Sequence, residues 1–282
     1  MSTLNTTTVA TRPTTLNNTT DVGKSYYETD SRKILVWDGV GFNEYNKDAT
    51  IYPALANLYG IILDGTNDYL DIGVNGDIAE LTSASAISVV LWVKIHSGSN
   101  DMILASGTSS GDRFMPFLNA SRNIDVYMGS GSVLTSTTAL AYNTWYHVAI
   151  FKNGTNASIY INGSQEDTTT TAPSTLSSNA GKNLKVGSTQ IFGGYYTDGE
   201  FDELAIWGSD QSSNIGSIYT GTTPANLTSL NPDHWWRMGD GDSGTGTTVT
   251  DDGNASTLVD GTLTNGAAFQ DLSTAPDSIY VA

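Results

Sequence analysis

Ala86-Ile87-Ser88-Val89-Val90-Leu91-Trp92-Val93-Lys94-Ile95-His96 is the stretch whose reading decides the fold. Ile87, Val89, Leu91, Val93 and Ile95 alternate along it, and alternation of period two puts them on one face of an extended chain. Val90 and Trp92 add apolar weight to the other face. A strand apolar on both sides belongs in the middle of a sheet that is covered above and below. Working outward, Trp145–Phe151 and Ser158–Ile161 flank Asn153-Gly154, a pair that tolerates the positive φ of a tight hairpin turn, and Asn162-Gly163 makes a second turn directly after. Asn183–Gly187 and Phe201–Trp207 supply two further strands. Short strands separated by Gly, Asn and Asp turns, without long helices, predict an all-β antiparallel sandwich. One short helix is expected over Ser212–Thr220, capped by Asp210 or Ser212, with Ile215, Ile218 and Tyr219 on one face and Gly221 as its stop.

The 282 residues carry 12 Lys and Arg against 29 Asp and Glu, a formal charge of −17. Such a chain is repelled by phosphate backbones and anionic membrane surfaces, which argues against a nucleic-acid partner. With no cysteine there is neither a disulfide framework nor a thiolate metal site. No apolar run approaches a membrane span, so no membrane insertion is expected, and Met1–Arg12 has neither the basic start nor the apolar stretch of a secretory signal. Two parts are expected. Residues 1–50 form a polar, Thr- and Asn-rich leader and a small hairpin, its apolar runs Ile34–Trp37 and Phe42–Tyr45 lying around Asp38-Gly39. Residues 51–282 form the sandwich. A lone hairpin buries too little surface to be stable, so the first part is expected to pack on a neighbour.

Three blocks resemble the bacterial and viral laminin G-like jelly rolls, which share the concanavalin A-like sandwich. The first runs Leu63-Asp64-Gly65-Thr66-Asn67-Asp68-Tyr69-Leu70-Asp71-Ile72 and is followed by the Ser88–Lys94 strand. The second is Trp145-Tyr146-His147-Val148-Ala149 with Ile159–Gly163. The third is Gly199-Glu200-Phe201-Asp202-Glu203-Leu204-Ala205-Ile206-Trp207. A fourth block, Trp236–Asp251 through Asp260–Gly266, is similar to a stretch that precedes the first in that family, and its late position implies a circularly permuted sandwich. Gly23–Asp30 and Lys33–Gly39 resemble a short β module of bacteriophage tail-fibre and other virion proteins. This implies an assembly role for Tyr26, Tyr27, Trp37 and Phe42. The expectation is a non-enzymatic virion structural protein, a fibre or a capsid or tail decoration. It would assemble in the host cytoplasm, pair with other virion proteins and with itself as a homo-oligomer such as a trimer, and display its sandwich toward host-surface glycans. The alternative is a free carbohydrate-binding lectin module.

Glucanases on this fold use two carboxylates on one strand face. Here Glu200 and Asp202 share a face by alternation, Glu203 is expected on the other, and position 204 is Leu. A retaining glycosidase needs its carboxyls about 5–5.5 Å apart, and the second Glu is missing, so no enzyme is expected. The resemblance instead implies a structural calcium ion (Ca2+) at the sandwich rim. Asp68 and Asp202 are its first candidate ligands, with Asp64 and Glu200 behind them; the plainer reading makes these turn caps. His96, His147 and His234 have no ligand-like spacing. The Phe192-Gly193-Gly194-Tyr195-Tyr196-Thr197-Asp198 loop offers flat amphipathic rings, and Tyr195, Tyr196 and Asp198 are the candidate ligand contacts. Trp235 and Trp236 are expected in the core.

Overall fold

The computed structural model describes residues 57–73, 78–107, 109–176, 184–189, 191–221 and 223–272, and the backbone of four strands near the N-terminus. The chain divides into two compact units, Met1–Leu55 and Ala56–Ala282. In the first, β1 (Asn5–Thr7), β2 (Ser25–Glu28), β3 (Lys33–Trp37) and β4 (Phe42–Glu44) form one sheet in that order, β1 parallel to β2 and the rest antiparallel. The hairpin expected from the apolar runs is β3 with β4, Trp37 opposite Phe42, and two more strands extend it. The leader between β1 and β2 and the side chains of Tyr26, Tyr27, Trp37 and Phe42 lie outside the described residues.

The second unit is a sandwich of two antiparallel sheets. Its strands, in chain order, are β5 (Tyr59–Asp64), β6 (Tyr69–Ile72), β7 (Ala86–Ser97), β8 (Asp101–Met102), β9 (Leu104–Ser106), β10 (Phe114–Leu118), β11 (Ile124–Met128) and β12 (Gly131–Thr135). They continue with β13 (Trp145–Asn153), β14 (Asn156–Ile161), β15 (Ser164–Thr169), β16 (Leu184–Val186), β17 (Asp198–Trp207), β18 (His234–Trp236), β19 (Thr248–Val249), β20 (Gly261–Thr264) and β21 (Ala268–Asp271). The front sheet has the order β12-β11-β10-β9-β16-β6-β20-β19, with β8 against β10; the back sheet has β15-β14-β13-β7-β17-β5-β21, with β18 against β17. β7 is central, as its two apolar faces require, paired from Lys94–Trp145 to Ala86–Asn153 on one side and with β17 on the other.

Alternation sorts each strand. Ile87, Val89, Leu91 and Val93 of the back sheet meet Phe114, Leu118, Ile124, Val126, Leu70 and Ile72 of the front sheet in one core, where each large side chain contributes about 1.5–3 kcal/mol of burial. The outer face of the back sheet is apolar too. Val90, Ala149, Phe151, Ala205, Trp207 and Trp235 form a second cluster, roofed by Ile218 and Leu227. The roof contains the expected helix in shortened form: a 3-10 turn, Ser212–Asn214, and one α turn, Ile215–Ile218. The Ser212 N–H is capped by Asp210 as anticipated, but Tyr219 is already extended, its ring packed near Trp92 and His147.

The two hairpin turns differ in kind. In Asn162-Gly163 both residues have positive φ, 48° and 74°, the type I′ pattern. The preceding turn is centred one residue later than expected, on Gly154 and Thr155, because Asn153 is still paired with Asn156 and only Gly154 needs positive φ. The C-terminal block completes both sheets. β20 lies beside β6, Leu263 opposite Leu70, while β21 lies beside β5.

Candidate functional site

Since the back sheet is roofed by its own chain, the outer face of the front sheet is where strand side chains can meet a ligand. β10 shows how the sequence builds that face. Phe114 and Leu118 point into the core, so Met115 and Phe117 point out; on β11, Ile124, Val126 and Met128 point in and Tyr127 out. Met115 is registered opposite Tyr127. Met102, Ala105 and Met115 make a small apolar floor, and around it Asn100, Arg113, Phe117, Tyr127, Phe192 and Tyr195 enclose a hollow of about 270 Å³. Its size is near the lower end of small-ligand sites.

The rings stand edge to face. Phe117 lies 6.5 Å from Tyr127 and 5.7 Å from Tyr195, and Phe192 lies 6.1 Å from Tyr195, all T-shaped. Arg113 fixes the wall. Its Nε and one terminal nitrogen donate to the carbonyls of Gly129 and Ser130 at 3.1 and 3.3 Å, and its guanidinium sits 4.2 Å from the Tyr127 ring centre. Burial draws the Arg113 pKa below its usual value. Phe192 and Tyr195, at the mouth of the hollow, remain more than one-third exposed.

Of the three ligand contacts expected from the sequence, Tyr195 lines the hollow, whereas Tyr196 and Asp198 lie outside it. Asp198 begins β17 and turns to the back sheet, accepting a hydrogen bond from Ser97 Oγ at 2.6 Å and standing 3.5 Å from His96 Nδ1. Phe117, Tyr127 and Arg113 were not anticipated. For Phe117 and Tyr127 the signal is an aromatic at the outward position of consecutive strands, readable only once the inward set of each strand is known; Arg113, just before β10, carries no such signal.

The acidic residues of the first and third blocks serve elsewhere. Asp64 and Asp68 cap the β5–β6 turn: Thr66 N–H donates to Asp64 at 2.8 Å and Asp64 N–H to Asp68 at 3.4 Å, as Asx residues do. Burial, with Asp64 nearby, raises the Asp68 pKa. Glu200 is held by Lys94 at 3.2 Å and by His96 at 2.8 Å; burial would raise its pKa, but these two partners win and lower it. Asp202 accepts from Asn57 Nδ2 at 2.8 Å and is fully buried. The four carboxylates proposed as cation ligands therefore fall at two different places, and among the described residues no group of three or more His, Cys, Asp or Glu forms a metal-binding set.

One expectation is corrected. Alternation placed Glu203 opposite Asp202, but the β7–β17 register shifts between Asp202 and Ala205, and Glu203 adopts φ 50°. This bulge turns Asp202 and Glu203 to the same side. There Glu203 accepts from Trp235 Nε1 at 2.5 Å and Arg237 Nε at 3.3 Å, and Arg237 also reaches Asp240 at 3.3 Å. Burial pushes the Glu203 pKa up to about 7 against the pull of Arg237; Asp202 is raised by burial, then by Glu203 and Asp240. Both are sealed from solvent, Asp202 at 0% and Glu203 at 4% exposure. His147 is likewise buried, its pKa drawn down to about 3.

A family profile described as the concanavalin A-like lectin/glucanases superfamily matches residues 64–214. No curated protein matches the chain. Among solved structures, a candidate carbohydrate binding protein from Bacteroides ovatus ATCC 8483 is similar with a TM-score of 0.60 at 16% identity, over 92% of this chain and 72% of its own. The heptameric SAP-like pentraxin from Limulus polyphemus gives 0.46 at 18% identity, over 60% of this chain and 86% of its own. The Ruminococcus gnavus IT-sialidase CBM40 bound to alpha2,3 sialyllactose gives 0.47 at 13%, over 58% and 99%. At such identities the likeness is one of fold.

Proposed function

The chain belongs to the concanavalin A-like lectin/glucanases superfamily, and we propose that it acts there as a non-catalytic carbohydrate-binding module, with the aromatic hollow on the front sheet as its site. One observation carries this reading: Phe117, Tyr127, Tyr195 and Phe192 present ring surfaces around a single open hollow, with Asn100 and Arg113 at its wall. A sugar ring has apolar C–H faces and a polar edge, and aromatic side chains beside a few fixed polar groups match both. Of the carboxylates weighed for hydrolysis, Glu200 is held by Lys94 and His96 and Asp202 is fully buried against Asn57, while Glu203 is buried against Trp235 and Arg237. A virion role rested on the N-terminal resemblance, and the hollow favours the lectin-like alternative. The reading includes a permuted chain order, supported by β20 and β21 lying beside β6 and β5.

A glycan array probed with the full chain, with and without calcium, tests the proposal. The calcium arm also reads any contribution from the Asp64–Asp68 turn. Binding is expected, and Tyr195→Ala and Phe192→Ala should each weaken it by about tenfold, the equivalent of one lost ring contact. An empty array under both conditions, or binding untouched by both substitutions, would remove the hollow as the site.

A further inference from the structure

The loop that brings Asn100 to the wall of the hollow also carries a carboxyl with no hydrogen-bond partner. β8 is two residues long, and its register with β10 sets Met102 opposite Phe117 and Asp101 opposite Leu118. Residues directly opposite each other share a face. Met102 therefore joins Phe117 on the outside, in the floor of the hollow, while Asp101 turns inward with the core residue Leu118. Asp101 is 9% exposed, and its Oδ2 is sealed from solvent with no partner among the described residues. The carboxyl folds back over its own loop: a Cβ added at Gly98, where φ is 91°, would stand 2.6 Å from Asp101 Oδ2. Asn100, between the two, is left-handed at φ 62°.

The polar groups around this loop are committed elsewhere. Ser97 Oγ donates to Asp198 at 2.6 Å, Thr197 Oγ1 to the Met102 carbonyl at 2.6 Å, and Tyr142 Oη to the Gly98 carbonyl at 2.7 Å. On β7, His96 stands 3.5 Å from Asp198 and 2.8 Å from Glu200, and Lys94 stands 3.2 Å from Glu200. Behind Tyr142, the Arg122 guanidinium lies 4.7 Å from that ring's centre, and Arg113 is held by the Gly129 and Ser130 carbonyls. The charged neighbour that acts on Asp101 is Asp198 of β17, which has the same sign. Burial first, and Asp198 second, raise the Asp101 pKa from an ordinary 3.8 to about 6. An ionised carboxyl without a donor is costly to bury. The element able to relieve it is the short β8, whose strand pairing runs to β10 alone.

We propose that Asp101 is a proton-controlled latch on the hollow. With its carboxyl neutral, residues 97–102 stay closed and hold Asn100 and Met102 in the wall and floor. When the carboxyl ionises, the segment opens to hydrate it, and the hollow loses both. The inference rests on the reading of the hollow as a binding site and adds its regulation: capture in mildly acidic surroundings and release as pH rises. The direction follows from linkage. The closed segment holds a raised carboxyl and the open one an ordinary carboxyl, so the closed form binds the proton more tightly and is favoured at low pH. A pKa of about 6 in the closed form against about 3.8 in the open one raises the open-to-closed ratio about a hundredfold in all as pH climbs through that window.

Amide hydrogen exchange of the full chain at pH 4.5, 5.5, 6.5 and 7.5, scaled to the intrinsic rate at each pH, tests this. It needs no ligand, so a failed latch and an empty glycan array are separate results. Peptides covering residues 97–102 should lose about twentyfold in protection between pH 4.5 and 7.5, while β13 and β14 keep theirs. Asp101→Asn has the same shape without the charge and should hold the protection of the segment level across the range. A thermal midpoint equal to that of wild type at pH 4.5 shows that this variant is folded. Asp198→Asn removes the like charge and should move the transition to lower pH. Wild type and Asp101→Asn losing protection in parallel, or a wild-type segment equally protected at every pH, overturns the latch. Exchange that rises at Gly98 and Ser99 while sparing Asn100 and Met102 overturns its link to the hollow. Should Asp101→Asn not fold, an Asp198→Asn transition at the wild-type pH overturns the proposal by itself.

Discussion

Replacing His234 by Gln should flatten the upper part of the pH–stability profile. His234 lies in β18 with 1% of its side chain exposed, its Nδ1 at 2.6 Å from Asp251 and its Nε2 at 2.9 Å from Glu80, its ring stacked on Trp236. Burial alone would depress the imidazole, but the two carboxylates outweigh it and hold the pKa at about 9 against an ordinary 6.5. A histidine whose folded pKa is raised contributes stability fully below its unfolded pKa, and loses it as pH rises through the folded value. The window therefore runs from about pH 6.5 to 9, and a shift of that size is worth about 3 kcal/mol. For a unit of this size that corresponds to roughly 6–12 °C in Tm. Chemical denaturation of both proteins at half-unit steps from pH 5.5 to 9.5 measures it. The wild-type advantage over His234→Gln should be constant below about pH 6.5 and shrink by most of that amount by pH 9.5. Contributions from groups that do not touch His234 cancel in the difference; Glu80 and Asp251, which His234 helps hold low, do not. Parallel profiles would mean that His234 is neutral in the fold, and the charged clamp between Glu80 and Asp251 would be refuted.

The Glu203 carboxyl, raised to about 7 by burial against Arg237, titrates in a lower window. A raised carboxylate makes the fold lose stability as pH climbs from about 4.5 to 7, so Glu203→Gln should show a smaller loss than wild type across that range by urea denaturation, and an equal loss would contradict the assignment. Gly163→Ala should cost about 1–2 kcal/mol, the ordinary penalty of a left-handed non-glycine residue, because φ is 74° and the added Cβ would stand 2.6 Å from the Tyr219 ring. A thermal midpoint unchanged by that substitution would show that the β14–β15 turn can relax.

The sandwich was legible from β7 because a strand apolar on both faces has one place to go. The turn after β14 was legible because Asn162 and Gly163 both mark positive φ, whereas after β13 only Gly154 does, and the turn falls one residue later than Asn153-Gly154 implies. Three things were not. The bulge at Glu203 inserts a residue that no composition signal announces, and with it the facing of Glu203 changes. Helix length was overread, since Ile215, Ile218 and Tyr219 satisfy a helical spacing, yet Tyr219 is extended, with its ring tilted against Trp92 and His147. The site itself was half legible. Tyr195 sits in a Gly-flanked aromatic loop that attracts notice, but Phe117 and Tyr127 are single aromatics in apolar strands, indistinguishable from core until pairing fixes which face they take.

The two sheets differ in what covers their outer faces, and the proposed binding role depends on that asymmetry. The segment after β17 lays Ile218, Leu227 and Trp235 over Val90, Ala149, Phe151 and Trp207 and consumes the outer face of the back sheet. Had those outward positions been polar, the roof would have had nothing to bury and both faces would have been equivalent. The front sheet carries instead a mixed row: Tyr127, Met115, Ala105, Lys185, Asp71 and Thr262. Met102, Ala105 and Met115 are buried there in a small cluster against which Phe117 and Tyr127 pack, and the Lys–Asp and Arg–carbonyl contacts lie among exposed and half-buried groups. A face of that composition is stable in water and still holds ring surfaces toward it, which is the physical condition for taking a hydroxylated, partly apolar ligand.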